Sequence, residues 1–214
     1  MKTGKIAIVS LGIAALIQLS ACNGDSKPQI ETPTVTKEEK KVNPSQSNLL
    51  KVGDKLFNLP SPLETAFLIE KVDKQFNEAM LNQKVDATQY TTKYAQSMNL
   101  GVYGADLGYS LIHNQSQNAF KLLGVCKKLG TELGISPALY TDLMGRFEGN
   151  LENKDSLLIF VSELNRLSDE YLKENEAEDI SALILYGGWI ESLHFTTTLA
   201  LNSGHEEIIK RVGE

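Results

Sequence analysis

Apolar residues recur at helical spacing through nearly all of residues 61–214, and no stretch shows a convincing period of two. Leu63, Ala66, Phe67, Val72, Phe76, Ala79 and Met80 predict a first helix, with Glu70, Lys71, Asp73 and Lys74 between them. Ser61, Pro62 and Glu64 stand at the N-cap, N1 and N3 positions of its start. A break over 82–85 leads to a shorter helix capped by Asp86 and carrying Tyr90, Tyr94 and Met98. The stripe Val102, Ala105, Tyr109, Ile112, Ala119, Leu122, Leu123, Cys126 and Leu129 then predicts one long helix over 100–133, roughly 50 Å in length. Gly134 stops it, and Ser136-Pro137 starts a short helix bearing Leu139, Leu143, Met144 and Phe147. Another amphipathic helix follows through Leu157, Phe160, Val161, Leu164, Leu167 and Tyr171. Ser203 and Glu206 announce a last one with Ile208, Ile209 and Val212 on its apolar face. So short a helix forms only if docked; otherwise a groove remains for a longer tail or a partner. The chain is therefore expected to be all-α, a bundle of about six to seven helices.

Its centre is expected at Ser181–Ala200, which is apolar on almost every helical face and contains Gly187 and Gly188. A helix of that kind belongs inside a protein or a membrane, and Glu191, His194 and Thr196–Thr198 favour the former. Gly101, Gly104 and Gly108 fall at i, i+3 and i+7 in an upstream stretch. Missing side chains let two helix backbones approach, so these five glycines predict a tight helix crossing.

The N-terminal part reads differently. Lys2 and Lys5 precede an apolar run, Ile6–Leu19, and then Leu19-Ser20-Ala21-Cys22. A basic start, a short apolar core and small residues before a cut describe a secretory signal peptide over 1–21. LSAC resembles the bacterial lipobox, which implies lipid attachment at Cys22. Residues 22–60, rich in Pro, Ser, Thr, Lys and Glu, are expected to be a flexible tether, and 61–214 the helical domain. Cleavage would leave 193 of the 214 residues and, with Lys2 and Lys5 removed, a net charge of −8 from 19 basic and 27 acidic side chains. An acidic chain without a Lys/Arg cluster argues against nucleic acid and against electrostatic membrane binding, leaving the lipid as the membrane attachment. With Cys22 lipidated, Cys126 has no disulfide partner and reads as a buried small hydrophobe.

Two polar constellations are candidates for chemistry. Glu191 and His194 form an E-x-x-H pair on one helical face, the spacing used in carboxylate-bridged metal sites of bundles. The second such pair is missing, so neither a metal nor another cofactor is expected. Asp106, Ser110 and His113 share a face at i, i+4 and i+7, but their order is wrong for a hydrolase triad, with serine in the middle. Together these five residues could line a pocket. Tyr90, Tyr94, Tyr103, Tyr109, Tyr186 and Trp189 could line one too, but at helical spacing they are expected in the core.

Asn99–Ser110 (NLGVYGADLGYS) and Ala182–Leu193 (ALILYGGWIESL) together resemble a family of uncharacterised lipoproteins found mainly in Bacteroidota. The likeness extends through Lys128–Ile135 and Arg146–Asn150 to the final Arg-Val-Gly-Glu. It implies a helical, lipid-anchored protein of the bacterial envelope and supplies no catalytic residues to carry over; the outer membrane is the expected location. The expected role is a non-catalytic module binding an envelope protein or a small ligand. The alternative is a metal-dependent or hydrolytic envelope enzyme using Glu191 and His194.

Overall fold

The computed structural model describes residues 49–52, 55–58 and 62–213. The expected signal peptide, Cys22, Ser61 and most of the expected tether lie outside the described residues. Seven α-helices appear among the described residues: α1 (Pro62–Val72), α2 (Lys93–Ile112), α3 (Ser116–Glu132), α4 (Pro137–Glu148), α5 (Lys154–Glu174), α6 (Glu178–Ser203) and α7 (Glu206–Gly213). The protein is an all-α bundle with α2 and α6 as its largest helix–helix interface. Two four-residue strands, β1 (Leu49–Val52) and β2 (Lys55–Asn58), pair antiparallel as a hairpin within the segment expected to be tether. Strand structure was not expected there.

Two helix boundaries differ from the periodicity. The first helix stops at Val72, not near Met80, because short polar side chains capture the backbone that follows. Asp73 Oδ1 accepts from Gln75 N (2.9 Å), and Asn77 Oδ1 accepts from Ala79 N (3.1 Å). Phe76 and Met80 still pack inward, but from an irregular segment containing two 3-10 turns, Glu78–Met80 and Ala87–Gln89. The expected short helix around Tyr90–Met98 is instead the first part of α2, which starts at Lys93 with Thr92 Oγ1 capping Ala95 N (3.2 Å).

The expected 100–133 helix is two helices. Asn114 adopts φ 59°, a left-handed conformation that asparagine tolerates better than most residues. Gln115 N donates back to Ser110 O (2.8 Å), closing α2 with a Schellman-type bond before α3 begins. Elsewhere the stops fall as the residue types dictate: Gly134 (φ 89°) follows α3 and Gly204 (φ 66°) follows α6.

At the α2–α6 crossing the glycines divide. A Cβ on Gly101 would fall on the Ile184 carbonyl oxygen and within 2.6 Å of Gly188 N; one on Gly187 would fall on the Met98 carbonyl. Gly188 would meet Pro62 Cγ at 2.9 Å and Gly101 O at 3.3 Å. Gly104 meets nothing within 4 Å, and Gly108 only Leu63 Cδ1 at 3.9 Å. So Gly101, Gly187 and Gly188 make the crossing, and Gly104 and Gly108 are corrected out of it. A close approach the spacing did not predict is Gly130 on α3, which accommodates the buried Tyr140 ring of α4.

α6 is not surrounded by protein, contrary to its all-round hydrophobicity. Gly187, Gly188, Ser192, Phe195 and Leu199 face inward, whereas Tyr186 (41 %), Ile190 (37 %) and Leu201 (88 %) are exposed. α7 docks by Ile208, which is fully buried, with Val212 half-buried and Ile209 outside. That is the docked-cap arrangement.

Candidate functional site

Just beyond the glycine crossing, the same two helices bring a pair of acids together. Asp106 of α2 is wholly buried and Glu191 of α6 half-buried, and the two carboxyls lie close enough to interact electrostatically. Asp106 Oδ2 accepts from Asn82 N (3.2 Å), in the irregular segment between α1 and α2. No nitrogen or hydroxyl reaches Asp106 Oδ1. Burial pushes Asp106 up to about 8, with Glu191's charge adding to it, and burial raises Glu191 to about 7. Two adjacent carboxyls with restricted hydration cannot both ionise cheaply, so the pair retains a proton near neutrality.

Around them, the polar positions of α2 hold the segment that crosses it. Tyr103, Asp106 and Tyr109 lie at steps of three along the helix. Tyr103 OH donates to Lys84 O, and Tyr109 OH accepts from Asn77 N (3.1 Å). Three α2 side chains thus satisfy backbone groups of a stretch that has no ladder of its own. This role was not foreseen for the tyrosines; it is what an irregular segment over a polar helix stripe requires.

The other residues named from sequence do not join the acid pair. Ser110, also wholly buried, accepts from Asn118 Nδ2 of α3 (3.2 Å). His113 sits at the C-cap of α2, between Tyr109 (ring centroids 4.5 Å) and Phe76 (6.1 Å), and burial lowers its pKa. His194 is exposed, so Glu191 turns to Asp106 and not to a histidine partner. The five residues therefore form a carboxyl pair and three separate environments. Among the described residues no group of three or more His, Cys, Asp and Glu is placed to hold a metal ion.

Of the aromatics, Tyr103 and Tyr109 are core residues, but Tyr94 is 62 % exposed and Tyr186 stacks on Trp189 (5.9 Å) on the open side of α6. Cys126 is a buried free thiol, pushed up to about 12 by burial, which makes it unreactive. A cleft of about 260 Å³ lies away from the acids, between α4 and α5, floored by Leu139, Leu143, Leu164 and Leu167. Arg146 at its rim is held by Glu163 (2.8 Å) and Asp142 (3.4 Å) and lies over the Phe160 ring.

Chemically, the acid pair can hold and release a proton, but no reacting atom reaches Asp106 while the crossing is closed. The fold and site together define an all-α bundle with a pair of carboxyl groups, Asp106 and Glu191, enclosed near its central helix crossing. No protein-family model, curated protein or solved structure matches the chain.

Proposed function

We propose that this protein is a non-catalytic, lipid-anchored module of the bacterial cell envelope that works by binding protein through the outer face of α6. One observation carries the reading: α6 is apolar all round yet buries only one side, leaving Tyr186, Ile190 and Leu201 in solvent. Among the described residues three of the eight exposed large apolar side chains share this one helix face, the largest such grouping on one helix, and apolar surface so grouped marks a contact site. By contrast, the polar residues that could have done chemistry are dispersed or closed off. No helix among the described residues is long and apolar enough to cross a membrane, so attachment is assigned to the lipid that the LSAC sequence implies at Cys22. The resemblance to Bacteroidota lipoproteins supports the same location.

The binding reading is tested with a photo-crosslinking amino acid at position 190 in native envelopes. A discrete protein adduct is expected; adducts to lipid alone, or none, would contradict it. The anchor is tested separately: Cys22→Ser should leave the membrane fraction or accumulate as uncleaved precursor. A processed Cys22→Ser chain that stays membrane-bound would refute lipidation.

A further inference from the structure

We infer that residues 73–90 form a strap that detaches from α2 as a unit, and that ionisation of the two acids beneath it drives the detachment. This device lies on the inner side of the bundle and is independent of the α6 contact face. The first argument is geometry. Gln96, Tyr103, Asp106 and Tyr109 follow one another up α2, while their partners follow in descending order along the strap. Gln96 Nε2 donates to Tyr90 O (3.1 Å) and Tyr103 OH to Lys84 O. Asn82 N donates to Asp106 Oδ2 (3.2 Å) and Asn77 N to Tyr109 OH (3.1 Å). The strap therefore runs antiparallel along the helix, tied by one row of side chains. Its own backbone bonds are isolated turns, such as Leu81 N to Glu78 O (3.1 Å) and Tyr90 N to Ala87 O (3.3 Å). Of residues 73–90 only Met80, Leu81 and Ala87 are buried. A segment with so few buried contacts and no ladder opens at lower free energy than the helix it covers.

The second argument is what the strap covers. Asp106 is wholly buried, its Oδ1 has no hydrogen-bond partner, and Glu191 faces it from α6. The strap's Asn82 N favours the ionised form of Asp106, but burial and the charge of Glu191 outweigh it. Detachment lets water reach Asp106, so the open state releases a proton that the closed state holds. Opening therefore grows as pH rises.

The other groups around the strap do not reproduce this response. Tyr103 on the same helix and Cys126 on α3 are held protonated by burial, Cys126 up to about 12. Glu78, Lys84 and Asp86, on the strap itself, are exposed. His113, beside Phe76 at the far end, has its pKa lowered by burial, and so links opening to falling pH, the opposite sign.

The test is hydrogen exchange of the full chain in detergent micelles, read by mass spectrometry at about pH 6 and about pH 8 and corrected for intrinsic rates. Peptides from the strap are expected to exchange through openings that leave the amides of α2 and α6 protected. Their protection should fall by about tenfold or more between the two conditions, since one released proton contributes up to about tenfold per pH unit. Asp106→Asn keeps an acceptor for Asn82 N but carries no charge, and most of the fall should disappear. Tyr109→Phe removes one tie and no charge; it should lower protection in both conditions and keep the fall. Strap amides that exchange only together with those of α2 and α6 would overturn the strap as a separate unit. Protection that does not change with pH, or a fall that survives in full in Asp106→Asn, would overturn its control by the acids.

Discussion

The α2–α6 interface has two halves about one and a half turns apart, built on opposite principles. At Met98–Gly101 the helices touch backbone to backbone, and the packing depends on atoms that are missing. At Asp106 they meet through side chains, two carboxyls whose pKa values burial raises. The first half is sensitive to volume and indifferent to pH. The second responds to pH. Two helices that cross come closest at one place, so a row of glycines marks a close approach only where it meets that place. Gly104, one turn on from Gly101, already lies outside it.

The comparison can be broken most severely at the tight half. Gly187→Leu drives a side chain into the Met98 carbonyl, and neither backbone can yield without separating the helices. A loss of roughly 3 kcal/mol or more is expected in denaturant unfolding, at the upper end of overpacking effects. A variant as stable as the parent would refute the close contact.

At the other half the handle is pH. Both acids have folded-state pKa values above those of an unfolded chain, so the native state holds more protons between pH 4 and 8. Stability should therefore fall as pH rises from about 4 through the folded values near 7 and 8, and flatten above them. Asp106→Asn removes the repulsion while keeping a donor for Glu191. It should raise stability at pH 8 by on the order of 2 kcal/mol and lessen that decline, leaving the share that burial of Glu191 contributes. Unfolding curves of parent and variant that stay parallel across this range would contradict the shared proton. Gly187→Leu should leave the slope alone.

The smallest effect is expected at the surface, where α7 is tied to α1 by Lys71 and Glu207 (3.0 Å), 68 % and 56 % exposed. Lys71→Met should change the melting free energy by no more than a few tenths of a kcal/mol, because solvent screens such pairs. Ile208→Ala, beneath the same helix, should be several times worse, since that side chain is fully buried.

Helix number and class could be read from periodicity because each amphipathic stripe reports its own burial. Boundaries were legible where Gly or Pro marked them, as at Gly134 and Pro137, and illegible where polar side chains did the work. Asp73 and Asn77 end a helical pattern by taking its backbone donors, and Asn114 splits a continuous stripe by one left-handed residue. Neither event disturbs the apolar spacing. Asp106 and Glu191 could each be singled out from sequence, but their pairing could not, because it depends on register between helices that place them 85 residues apart in the chain. Likewise α6 reads as buried on every face; hydrophobicity cannot distinguish a side covered by the same chain from one left for another.

The most direct test sets one substitution against itself at two positions three residues apart. Gly104→Ala meets open space and should stabilise α2 by about 0.5–1 kcal/mol through helix propensity. Gly101→Ala gains the same propensity but collides with Ile184 and Gly188, and should destabilise by about 1–3 kcal/mol. Opposite signs in denaturant unfolding are the result expected of a crossing confined to Gly101, Gly187 and Gly188. Equal gains in stability at both positions would contradict it.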